Sequence, residues 1–441
     1  MTWLVTGGWF MGLLRPGDTA RTTNDQPPTT DLTGALLITA FFLVLLVAAE
    51  TWSRLGHPKP EWTRKLVHLG GGLIGLSLPW LVESPLMVFL LTASLSTLFV
   101  LGERWHFLKS LHKVERKTRG SEYYPLAIWL VFVLAADRPW LYLSAVLVLA
   151  VADAFAALIG SRYGKHRYEV EDEFKSVEGS AVFFVIAFIA VCVPMLLMTN
   201  LPRGVCVLSA LLVSVLVTIF EAISLRGTDN LFVPIAVVFV LQKITTKPLA
   251  HIAWQNVALI GIVTIVLLIA RRIEWFNTGG ALAATLFVFA AFSLGPRFRW
   301  VIPVFVGFVA LAITRIILNA RGERRRFKVR AVTRTLIVPF LFLLAANSTG
   351  QFDHYYAGYL ATCAAVLAFN LADERPLHAA IVGALSAALL ALPMVPLFCA
   401  AMIMVVVALA SGLNARFADP REWGAPSFLF TLMAGALLLL I

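Results

Sequence analysis

Asp153 stands inside an otherwise apolar run, LVLAVADAFAALIG. A carboxylate is costly there and is expected to face a bundle interior, a cationic partner or a bound ion. The chain then reads Gly160-Ser161-Arg162-Tyr163-Gly164-Lys165-His166, and Lys175-Ser176-Val177-Glu178-Gly179-Ser180 opens the next apolar run. Glycines let backbone N–H groups approach phosphate, and lysine or arginine adds charge. Gly179 and Ser180 begin a helix whose first N–H groups favour an anion, while Glu178 offers a metal ligand or a base. An acid, a Gly-Lys loop and a second lysine with Glu-Gly-Ser at a helix start predict a site for nucleotide phosphates and a divalent ion. The spacing is not that of a Walker A loop. Three residues separate Gly160 from Gly164, His166 follows Lys165, and an apolar helix precedes them. The acids between, EVEDE (169–173), read as a solvated loop tip.

Two further stretches carry candidate residues. TRKLVHLGGG (63–72) places Arg64, Lys65 and His68 on one helical flank; the plainer alternative is a set of membrane-anchoring cations beside a lone histidine. FEAISLRGTDNLFVP (220–234) sets Glu221 inside an apolar helix end and Asp229-Asn230 at the next helix start. Asp229 or Asn230 could serve simply as a helix cap. Glu221 is harder to dismiss, because of the membrane cost of its charge.

The elements that must position these residues are membrane helices. Hydrophobic residues make up 59% of the 441-residue chain and charged ones 14%, against about half and about a quarter in soluble domains. The apolar runs are continuous rather than alternating, so helices and not a barrel are expected. The expectation is an all-α polytopic membrane protein of about fifteen transmembrane helices in two bundles. Residues 1–32 read as an uncleaved, partly interfacial lead-in, 33–250 as a catalytic membrane domain and 251–441 as a second membrane domain.

Net charge is +11, which in this setting reads as topology and lipid attraction rather than nucleic-acid binding. Loop 103–124 holds six Lys/Arg. Two spans separate each of 53–65, 103–124, 161–178 and 226–230 from the next, so all four fall on one face. Their basicity makes that face cytoplasmic. Cys192, Cys206, Cys363 and Cys399 lie singly in apolar runs and predict neither a disulfide framework nor a cysteine metal site.

RKLVH, SEYYPLA, ADAFAALIGSRYGKH…KSVEGS and E…GTDNLFVP, in this order, resemble the CTP-dependent polyprenol kinase family, which includes dolichol, phytol and farnesol kinases. The resemblance covers residues 35–245 and implies transfer of phosphate from CTP to a membrane isoprenoid alcohol with Mg²⁺ or another divalent cation. It makes Gly160, Arg162, Gly164, Lys165, His166, Lys175, Ser176, Gly179 and Ser180 the nucleotide loop. Asp153, Lys175 and Glu178 become the catalytic residues, with Asp153 and Glu178 as metal ligands or base. Arg64, Lys65, His68, Glu221, Asp229 and Asn230 support them from the same face. A bacterial member would sit in the inner membrane.

Phosphatidate cytidylyltransferase and CTP-dependent diacylglycerol kinase are the alternative enzymes. The first usually carries Pro-Gly-His-Gly-Gly and Asp-Arg-x-Asp elements, which this sequence lacks. A non-catalytic transporter or scaffold would place charges through mid-membrane in both halves; here they gather in loops of one face. NTGGALAATLFVFAAFSLG and KVRAVTRTLIVPFLFLLA resemble, more faintly, the membrane family that contains phytyl-phosphate kinase. Its polar motifs are replaced here by TLIVPF and FNLADERP, so this half is expected to be a non-catalytic partner.

Overall fold

The computed structural model describes residues 29–56, 58, 60–104, 120–136, 138–171, 173–225, 227–273, 276–296, 298–319, 327–372, 375–417 and 424–439. The lead-in before residue 29, most of the basic loop 103–124 and Arg226 lie outside them.

Lipid offers the backbone no hydrogen bonds, so apolar segments close their own as helices. In order these are α1 (Thr29–Leu55), α2 (Pro60–Gly75), the short α3 (Leu78–Leu81), α4 (Pro85–Arg104), α5 (Gly120–Ala135) and α6 (Pro139–Leu147). A π-helical turn, Val148–Ala152, joins α6 to α7 (Asp153–Tyr163). A hairpin of β1 (Arg167–Val170) and β2 (Glu173–Ser176) follows. Then come α8 (Val177–Met198), α9 (Arg203–Ile223), α10 (Asp229–Ile244), α11 (Leu249–Ile273), α12 (Thr278–Leu294) and α13 (Ile302–Asn319). The last are α14 (Val329–Thr349), α15 (Phe352–Leu371), α16 (Pro376–Ala391), α17 (Leu397–Phe417) and α18 (Ala425–Leu437).

Among the described residues eight helical segments are long and apolar enough to cross a membrane, and five more are apolar but shorter. The chain is thus an all-α membrane protein, with one small hairpin that composition did not announce.

The chain divides into two compact units, residues 1–168 with 174–256, and residues 169–173 with 257–441. In the first, α6, the π turn and α7 form one span at the centre. Its Leu141, Tyr142, Ala145, Val148, Leu149 and Ala152 pack against Phe183 and Val191 of α8, Val213 of α9, and Val237 and Leu241 of α10. Between membrane helices such contacts act through close packing and interhelical hydrogen bonds rather than water release. Gly72 of α2 shows how close the packing is, since a Cβ there would lie 2.2 Å from that of Ala150. The Tyr142 hydroxyl, buried in the same layer, donates to Gly75 O at 2.8 Å. In the second unit α15 is the most enclosed helix. Tyr356, Tyr359, Leu360, Ala361, Ala364 and Ala365 pack with Trp300, Phe342 of α14, Ala387 of α16 and Ile403 of α17.

Candidate functional site

The π turn delivers Asp153 to the first position of α7. A π-helical turn shifts the carbonyls out of the i→i+4 register and commonly marks functional sites. Here the Leu149 carbonyl lies 3.0 Å from Nε2 of His68. The same nitrogen is 3.2 Å from Asp153 Oδ2, and Lys65 Nζ is 2.6 Å from that oxygen. Lys65 also donates to the Asp153 carbonyl at 3.5 Å and is only 6% exposed. Lys65 and His68, three residues apart on α2, converge on one carboxylate. Arg64 precedes them on α2, half-buried. Tyr124, on α5, completes this group: its ring lies 4.5 Å from that of His68 and its hydroxyl donates to the His68 carbonyl at 3.1 Å.

A second ion pair lies on the same unit. Lys175, on β2, donates to Glu221 Oε1 at 2.8 Å, to the Glu221 carbonyl, and to Ser224 Oγ at 3.3 Å. Burial pulls the Lys175 pKa down, but the charges of Glu221 and Asp229 raise it further, so the net shift is upward and the ammonium stays charged at neutral pH. Glu221, Asp229, Asn230 and Asp153 line a small cleft of about 10 Å³, partly open to solvent. Val148, Leu149, Phe183 and Val233 form its apolar side. The cleft has room for little more than a water-sized group, against roughly 300–1,000 Å³ for the site of a whole ligand, so it admits reacting groups alone.

Asp229 and Asn230 are not the caps of α10. Thr228 holds the cap position and makes no side-chain cap bond. Asn230 instead donates to Gly120 O at 3.1 Å, locking the starts of α10 and α5 together.

Ser176 is the N-cap of α8, its Oγ accepting from Gly179 N at 3.1 Å. Glu178 sits in the first turn and takes His166 Nδ1 at 2.7 Å and His166 N at 3.1 Å. Ser180 Oγ and Tyr168 OH are 2.7 Å apart. Glu178 therefore fastens the base of the hairpin, with partners different from those of Asp153. Arg162, Lys165 and His166 are exposed beside it, a basic edge at the end of α7. The glycines serve packing more than flexibility. Gly160 lies within α7, and a Cβ there would come 3.3 Å from Gly179 Cα and 3.0 Å from Ser176 Oγ.

Among the described residues no three His, Cys, Asp or Glu side chains are grouped closely enough to hold a metal ion. Sequence reasoning missed Tyr124, Ser224 and the Leu149 carbonyl. The first lay in SEYYPLA and the second three residues after Glu221, where a helix places neighbours. Nothing in the sequence marks a π turn.

The phytol kinase of Synechocystis sp. (strain ATCC 27184 / PCC 6803 / Kazusa) is 31% identical over 201 residues, covering 45% of this chain and 86% of the relative. No family model matches, and no solved structure matches. At that identity, and with 86% of the relative covered, the chain belongs to the polyprenol/phytol kinase-like family.

Proposed function

We propose that the protein phosphorylates the hydroxyl of a membrane isoprenoid alcohol of the phytol, farnesol or dolichol type, with CTP as donor, at the cytoplasmic face. The observation that carries this reading is the cleft itself. Three carboxylates and an asparagine face an apolar wall there, with Lys65 and Lys175 bonded to two of the acids. Kinship with a phytol kinase supports an isoprenoid alcohol as acceptor. The cytoplasmic assignment rests on the basic loops.

Phosphoryl transfer asks a protein mainly to position the reactants and stabilise charge. The alcohol brings its hydroxyl to the cleft, toward Asp153, and its chain stays outside that small space, in the surrounding lipid. Lys65 and His68 hold the Asp153 carboxylate in place, and Asp153 accepts the hydroxyl proton as the oxygen attacks the terminal phosphorus. Lys175, with exposed Arg162 and Lys165, takes the nucleotide phosphates and leaves Glu221 to do so. CDP departs. A divalent cation, Mg²⁺ or another, belongs to this proposal as the counterion that arrives with CTP and lessens the charge on its phosphates. The carboxylates nearest to it would be Asp153, Glu221 and Asp229, and no step is assigned to it.

The test is the purified full chain with labelled CTP, Mg²⁺ and a panel of isoprenols, diacylglycerol and phosphatidate. Label on an isoprenol supports the proposal. A CMP-lipid product replaces it with the cytidylyltransferase reading, and label on diacylglycerol alone with the other lipid kinase. Asp153→Asn is expected to lower kcat by about 10²–10⁴-fold, the usual yield of general-base catalysis. Unchanged turnover would remove Asp153 from the mechanism.

A further inference from the structure

The acids at the hairpin tip, which their charge marks as solvated, are in part buried. Val170 has no exposed surface and Glu171 is 6% exposed. The chain leaves the first unit at residue 168, contributes 169–173 to the second, and returns at 174. Within the second unit the tip has a specific seat. Gly279, in the first turn of α12, admits Val170 so closely that a Cβ on the glycine would stand 3.2 Å from Val170 Cα. Asn277 caps α12, its Oδ1 accepting from Gly280 N at 2.7 Å.

The start of α14 lacks a cap of its own. Lys328 occupies the cap position, and an ammonium cannot accept a hydrogen bond. Glu171 supplies the acceptor, taking the orphan N–H of Arg330 on its carboxylate. The helix N-terminus favours that negative charge. Lys328 answers by donating to the Glu171 carbonyl at 3.2 Å and lying 3.7 Å from Glu169 Oε1. Glu171 meanwhile has φ 54°, in the left-handed region, where a glutamate is uncommon. A strained residue held by a charge-assisted bond, beside a valine with no exposed surface, is an anchor rather than a loop tip.

Lys175 follows this anchor by four residues along β2. We infer that Glu171 is a positioning residue for phosphoryl transfer. By seating the hairpin tip on the starts of α12 and α14, the second unit fixes the strand that presents Lys175 to the nucleotide. This rests on the reading of Lys175 as a phosphate ligand. It gives the second unit a task in the reaction without chemistry of its own.

The experiment compares full-length wild type, Glu171→Ala, Glu171→Gln and Lys328→Ala in two measurements. In amide hydrogen exchange without substrate, residues 167–176 are expected to exchange faster in Glu171→Ala and Lys328→Ala. Glu171→Gln keeps an acceptor oxygen and is expected to stay close to wild type. In kinetics, Glu171→Ala is expected to raise the nucleotide KM about tenfold, the equivalent of one lost charge-assisted hydrogen bond. Its kcat and alcohol KM stay within about twofold, and Glu171→Gln restores most of the nucleotide affinity. Unchanged exchange at 167–176, or a rise in both KM values together, overturns the inference. If Glu171→Ala fails to fold, Lys328→Ala decides by the same two readings. A wild-type chain that phosphorylates no alcohol defeats the functional reading instead, and the exchange comparison, made without substrate, still separates the two failures.

Discussion

In the proposed reaction Lys175 is the charge that meets the nucleotide, and its surroundings set how that charge responds to pH. Burial alone would favour the neutral amine, yet the carboxylates of Glu221 and Asp229 outweigh it and raise the pKa above the ordinary lysine value. A raised lysine pKa stabilises the fold fully below the unfolded value, near 10.4, and the stabilisation fades only as pH rises through the higher folded value. The nucleotide KM of the wild type is therefore expected to stay flat from about pH 7 to about pH 9 as far as Lys175 governs it. Lys175→Met should raise that KM throughout the range, leaving the alcohol KM alone. A wild-type KM that climbs between those limits, with a flat profile in Lys175→Met, would show that the amine is losing its proton there. The sequence singles this residue out as a candidate, because a lysine before Glu-Gly-Ser at a helix start suits a phosphate as well as a solvated hairpin. Its partner was not legible there. Glu221 lies 46 positions downstream, and only the packing of α9 beside the hairpin joins them. Asp153 stands out for the opposite reason, its cost in an apolar helix; a basic partner on a neighbouring helix was one of the settings that cost allows, and Lys65 and His68 supply it.

The elements around these residues depend on close approach. Gly164 follows α7, its N–H bonded to Gly160 O at 3.1 Å. A Cβ at Gly164 would fall 2.3 Å from that carbonyl oxygen and 2.6 Å from Ser176 Cβ, so the exit of α7 and the start of α8 would have to part. Gly164→Ala is expected to destabilise by about 1–3 kcal/mol, the usual cost of overpacking. Thermal unfolding in detergent measures this, and a parallel rise in nucleotide KM would follow from the displaced Ser176 cap and Lys175. An unchanged melting temperature would mean the two helix ends separate without penalty. The sequence displayed these glycines and suggested flexible phosphate loops. Nothing local distinguishes a glycine that bends from one that lets two helices touch, since the difference lies in the opposing surface. The EVEDE segment misled for the same reason: Glu171 is buried by partners 157 and 159 positions away. Spans were easier to read, because lipid forces the backbone to satisfy itself within each segment. The hairpin escaped notice because two four-residue strands, Arg167–Val170 and Glu173–Ser176, leave no periodicity long enough to read.

Taken as a whole, the chain's +11 charge and 59% hydrophobic content make its orientation in the bilayer a physical prediction. Arginine and lysine in short loops resist translocation, so the loop 161–178, with Arg162, Lys165, Arg167 and Lys175, should remain cytoplasmic. Val177–Met198 is long and apolar enough to cross once, which sends the turn at 199–202 to the other side. That turn carries no basic residue, and Arg203 alone follows it. The orientation is also what the proposed chemistry needs, since a nucleotide donor is charged and cannot cross hydrocarbon to reach a site on the far face. Single cysteines at exposed Ser161 and exposed Pro202 test it in a background where Cys399, the least buried native cysteine, is serine. In intact cells a membrane-impermeant maleimide is expected to label Pro202→Cys and spare Ser161→Cys, and to label both once the membrane is opened. Reversed labelling would put the Asp153 cleft and the hairpin on the side without nucleotide, and the kinase proposal would then fail at the level of topology, whatever the geometry of its residues.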